Sequence, residues 1–83
     1  MMTSDAEIHA QIEQLVADEH ELEERSAAQA GLSELEHARL ERIKLHLDQS
    51  WDLLRQRRAK AEAGFDPNEA RERDVAVVES YEQ

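Results

Sequence analysis

The sequence predicts an all-α fold: an antiparallel helical hairpin with a short C-terminal helical tail, of the kind that pairs into a four-helix bundle. Three observations predict it. Ser4-Asp-Ala-Glu7 and Ser33-Glu-Leu-Glu36 each stand just before an apolar run, and both match the capping box, in which a serine oxygen accepts an early backbone N–H while the glutamate returns to the serine's own N–H. Both runs recur at alternating spacings of three and four, and no stretch alternates with period two. Charged residues make up 36% of the 83-residue chain against two glycines and one proline, a composition for long solvated helices.

In the first run Ile8, Ile12, Leu15, Glu19 and Leu22 form one stripe, widened by Val16, so a first helix is expected over about residues 5 to 26. SAAQAGL, residues 26 to 32, supplies Gly31 and small residues for a short αα-hairpin turn. In the second run Leu40, Ile43, Leu47, Ser50, Leu54, Arg57 and Ala61 repeat the pattern, flanked by Trp51 and Leu53. A second helix is expected over about residues 34 to 63. Gly64 is placed to end it, and Asp66-Pro67-Asn68-Glu69 reads as a fresh cap with proline at the first helical position. Val75, Val78 and Tyr81 lie three apart, so the tail is expected to add a final turn with one apolar edge against the bundle. The chain thus divides into a hairpin, residues 1–64, and a tail, residues 65–83.

Folding the chain back at residues 29 to 30 sets Ile12 against Leu47, Leu15 against Ile43, His9 beside Trp51, Glu23 near His37, Asp18 near Arg39, and Asp5 and Glu7 beside Arg55. The tryptophan, on the flank of an apolar seam, is expected to be core. Leu45 falls opposite the seam, and residues after about 55 find no neighbour in the hairpin unless the tail folds back. One helix partner therefore leaves apolar surface uncovered, and a chain this short buries a limited share of its surface. The expectation is a homodimer with Trp51, Leu53 and Leu54 near the subunit contact.

The charge is uneven. Residues 1–24 carry eight acids and no lysine or arginine, residues 25–64 carry eight bases and six acids, and residues 65–83 carry two bases and six acids, for a formal net charge of −10. Only the middle third is suited to an anion. There Trp51, Arg55, Arg57, Arg58 and Lys60 form the candidate binding segment for a protein partner or an anion such as a nucleotide. Charge pairing with the acidic first helix is the plainer account of the same cations, and the net charge disfavours nucleic acid.

No catalytic residue is expected: there is no Gly-rich phosphate loop, no cysteine and no serine in the context of an activated hydroxyl. Glu34-Leu-Glu-His37 has Glu-x-x-His spacing, and Glu19, His20 and Glu23 lie on the facing helix, the raw material of a carboxylate and histidine metal bundle. Against that, Glu34 sits in the first turn and His20 on an outer position, so solvated faces are the expectation and neither metal nor cofactor is assigned. The N-terminus lacks a basic n-region and an apolar h-region, and no stretch approaches about 18 apolar residues. A cytoplasmic, non-membrane protein is expected.

DEHEL at 18 to 22, LEHARL at 35 to 40, LDQSWDLLRQRRA at 47 to 59, GFDPNEA at 64 to 70 and VVESY at 77 to 81 resemble domain of unknown function family 2630, short uncharacterised actinobacterial proteins. The likeness spans nearly the whole chain and is most specific at LDQ-x-WDLLRQRRA. Where such relatives usually have cysteine or a small residue before the tryptophan, this chain has Ser50. The resemblance implies the helical architecture and no particular activity.

Overall fold

The computed structural model describes residues 4–81. It contains α1 (Asp5–Gln29), α2 (Glu34–Glu62), a 3-10 turn (Pro67–Glu69) and α3 (Val75–Tyr81), with no strand among the described residues. The body measures 50 × 26 × 20 Å, elongated along the hairpin.

Both helix starts form where the caps place them. Ser4 Oγ accepts from the Glu7 N–H at 3.1 Å. At α2 the box closes in both directions: Ser33 Oγ accepts from Glu36 N–H at 3.2 Å, and a Glu36 carboxylate oxygen accepts from Ser33 N–H at 3.0 Å. Helix α1 runs to Gln29, three residues beyond its expected end, because Ala27 and Ala28 extend a helix at little cost and the connection needs only residues 30 to 33. It stops at Ala30, which adopts the left-handed region at φ 59°, with the Gly31 N–H reaching Ser26 O at 2.8 Å. Helix α2 ends at Gly64, at φ 84°, where the Phe65 N–H bonds Lys60 O at 2.8 Å.

Ile8, Ile12, Leu22, Ile43 and Leu47 form the buried core between α1 and α2, with Leu15, Leu40, Leu53 and Leu54 packed half-buried against it. Ser50 is buried in the same seam, while Ala61 is exposed. Trp51 departs from its expected core position: it is 44% exposed.

The tail folds back along α2, which supplies the neighbour the hairpin lacks. Asp66 caps the 3-10 turn through the Asn68 N–H at 2.9 Å, with Pro67 opening the turn. An extended stretch follows, and Asp74 caps α3 through the Ala76 N–H at 2.9 Å. Ala70 and Val78 are buried, Val78 to 1% exposure, so the expected apolar edge does dock. The side chain of Tyr81, the third member of that edge, lies outside the described residues.

Arg25 of α1 and Glu36 of α2 pair at 3.0 Å across the turn, at the level where a Glu23–His37 contact was expected. The Ser33 backbone N–H, then its hydroxyl, then the charge of Arg25 hold the Glu36 carboxyl below its ordinary carboxylate range.

Two outcomes follow from the turn. Ala30→Gly relieves a left-handed alanine and should raise stability by about 1 kcal/mol in urea denaturation. Because the folded-state pKa of Glu36 is depressed, its ionised form stabilises the fold above the ordinary carboxylate pKa, and that contribution is lost as pH falls through the lower folded value. Glu36→Gln should therefore be less stable than wild type at neutral pH, with the difference shrinking once both are measured below the carboxylate range.

Candidate functional site

The cations of residues 55 to 60 do not form one site. With 3.6 residues per turn, α2 carries three interleaved stripes. Ile43, Leu47, Ser50 and Leu54 face α1; Gln49, Asp52, Gln56 and Lys60 face the tail; Trp51, Arg55 and Arg58 lie between them on the open side.

Arg57 is drawn inward, its side chain 11% exposed. Its Nε donates to Asp5 Oδ1 at the start of α1, and its Nη1 donates to Asn68 Oδ1 at 3.1 Å and Pro67 O at 3.3 Å. One guanidinium, with five donors in a planar fork, thus joins the start of α1 and the 3-10 turn to the C-terminal part of α2. The expected partner of Asp5 was Arg55; the residue two further on takes it because only that position points between α1 and the tail. Lys60 is likewise occupied, with Nζ 3.8 Å from a Glu69 carboxylate oxygen and 5.5 Å from the centroid of Phe65. It lines a shallow hollow of about 220 Å³ with Gln56, Ala59, Ala63, Phe65 and Arg73 on the tail side.

On the open side, Trp51 meets His9 edge to face, with centroids 6.3 Å apart at 80°, as the hairpin register predicts. Asp5, His9, Trp51, Leu54, Arg55 and Arg58 line a cleft of about 160 Å³. Among the described residues, neither Arg55 nor Arg58 forms an ion pair. Val16, seven residues after His9 and so on the same flank of α1, is also exposed. Of the three residues expected at a subunit contact, Leu53 and Leu54 pack against the hairpin's own core, although Leu54 also lines the cleft, and Trp51 remains open.

The tail is held by groups that sequence reasoning passed over. Gln49 Nε2 donates to Arg73 O at 3.2 Å, and Gln56 Nε2 donates to Arg71 O at 2.7 Å and to Asp52 Oδ2 at 2.9 Å. Asp52 is 4% exposed and lies 3.5 Å from Arg73 Nε. These amides satisfy carbonyls of an extended stretch that has no ladder or helix of its own. The signal for them was the spacing of residues 45, 49, 52 and 56, a second stripe opposite the apolar seam. For metal, His20 pairs with Glu24 at 2.9 Å on an exposed face, and His37 is exposed. Among the described residues no group of three or more His, Cys, Asp or Glu side chains comes together to hold an ion. No helix among them is long and apolar enough to cross a membrane.

A family model described as a protein of unknown function (DUF2630) matches residues 4–83. Uncharacterised proteins of Mycobacterium tuberculosis and Mycobacterium bovis are similar at 47% identity over 79 residues, covering 94% of this chain and 90% of each relative. No solved structure matches.

The division of the cations has a measurable consequence. Arg57→Ala leaves the Asp5 carboxylate, Asn68 and a carbonyl without their shared donor, and should cost about 2 kcal/mol in urea denaturation. Arg55→Ala and Arg58→Ala should each change stability by less than about 0.5 kcal/mol.

Proposed function

The chain belongs to the DUF2630 family of proteins of unknown function, and we propose that it is a non-enzymatic interaction or regulatory module that works in the cytoplasm as a homodimer. The observation that carries this is the open face of α2, where the chain's only tryptophan is left 44% exposed beside two arginines without ion-pair partners among the described residues. Tryptophan and arginine are the side chains most enriched where binding energy concentrates. A folded chain that has covered its other seams with its own tail keeps such a face open at a cost in exposed apolar area, which contact with a partner removes.

A compact anion held by Arg55 and Arg58 beside Trp51 is the second reading, and the cleft they share with His9 favours it. The Asp5 carboxylate lining the same cleft, and the net charge of −10, work against it.

Sedimentation equilibrium at micromolar concentration should return twice the 9.6 kDa chain mass. Trp51→Ala should preserve the helical circular dichroism and weaken the dimer by about 2 kcal/mol, roughly thirtyfold in Kd. A wild-type chain that stays monomeric across that range overturns the proposal.

A further inference from the structure

The open stripe continues well beyond the tryptophan. Lys44, Asp48, Trp51, Arg55, Arg58 and Glu62 recur at alternating spacings of four and three along α2, the periodicity that keeps side chains in register along a facing helix. Lys44, Arg55, Arg58 and Glu62 are exposed and Asp48 half-buried. Among the described residues none of these five charges takes part in an ion pair, even though Lys44 and Asp48, and Arg58 and Glu62, stand four apart on one helix. The acidic α1 and the tail neutralise Arg57 and Lys60, and α1 meets this stripe through the His9–Trp51 ring contact and along the cleft that Asp5 and His9 share with it.

We infer that the stripe docks on the same stripe of a second copy, the two α2 helices antiparallel, with Trp51 of each copy against Arg55 of the other, Asp48 against Arg58, and Lys44 against Glu62. This rests on the homodimer reading and fixes its interface and register. Charge complementarity selects the arrangement. A parallel, in-register pair sets every charge against its like. Among antiparallel registers, centring the two-fold between Asp48 and Trp51 brings Lys44 onto Arg55. Centring it on Trp51 brings Lys44 onto Arg58 and Glu41 onto Glu62, and centring it on Arg55 stacks Arg55 on itself and Asp48 on Glu62. Only the axis between Trp51 and Arg55 makes all the charge pairs opposite and gives each indole a guanidinium to stack on, a favourable cation–π geometry. An isologous interface repeats each of these contacts twice. The matched stretch, from Lys44 to Glu62, spans roughly 27 Å at 1.5 Å per residue. The same placement sets the second α2 beside the flank of α1 that carries His9 and Val16.

The test is charge exchange in trans, read as the dimer dissociation constant by sedimentation, with circular dichroism confirming the fold. Asp48→Arg alone and Arg58→Asp alone each turn two attractive contacts into two repulsive ones, and each should weaken self-association by on the order of tenfold or more at low salt. Positions 48 and 58 lie about 15 Å apart along one helix, too far to compensate within a chain. Mixing the two single variants, or joining both substitutions in one chain, should nevertheless restore dimer to within about threefold of wild type at low salt. A dimeric wild type whose single variants dimerise unchanged, or whose mixture and double variant fail to recover, overturns this register while leaving the homodimer intact. A monomeric wild type overturns both.

Discussion

Among the described residues, every packing contact between elements passes through α2. Helix α1, the 3-10 turn and α3 each pack on it and not on one another. A single helix therefore has to present an apolar stripe to α1, a polar stripe to the tail and a third stripe to whatever lies outside, and the 3.6-residue period lets it do so by assigning neighbouring residues to different faces. The LDQSWDLLRQRRAK segment looks crowded in one dimension because it serves three directions in the other two.

The seams on either side of α2 are chemically different for a reason. The α1 side meets a regular helix whose backbone groups are already paired, so aliphatic packing is sufficient. The tail side meets an extended stretch whose carbonyls need donors, so Gln49 and Gln56 supply amides and buried Asp52 is answered by Arg73. Arg57 sits where the two seams converge and bonds both α1 and the 3-10 turn. Its loss is felt by both neighbours of α2, whereas Arg55, two residues earlier, is free to face outward.

That division also explains the placement of charge. An acidic chain that concentrates its bases in one helix first neutralises its own N-terminus and tail through Arg57 and Lys60. What is left on the open face is a stripe of mixed sign, Lys44 and Asp48 on one side of an exposed indole and Arg55, Arg58 and Glu62 on the other. Such a surface repels most polyanions through the net charge of −10, and its order of signs is complementary to its own reverse, the property on which the proposed self-contact rests.

Much of the architecture was legible from local signals. The capping serines, the glycine after α2, Asp66-Pro67 and the aliphatic spacing fix the helix starts, the stop of α2 and the α1–α2 seam, because each depends only on residues within a turn or two; the His9–Trp51 contact followed from the resulting register. What lay outside sequence reading was how the cations are shared out. Arg55, Arg57, Arg58 and Lys60 are chemically near-identical in the chain, and whether one is sealed, paired or open depends on where the tail crosses α2, a long-range event set by Gln49, Asp52 and Gln56 meeting backbone carbonyls. The exposure of Trp51 was decided in the same way: its neighbours Leu53 and Leu54 found cover within the hairpin, and the tail packed on the other side, leaving no element among the described residues to lie over the indole. The sequence alone determined the helices and the seam that joins them. Only the tertiary structure decided which face of the shared helix stays open, because that depends on which surfaces the rest of the chain has already covered.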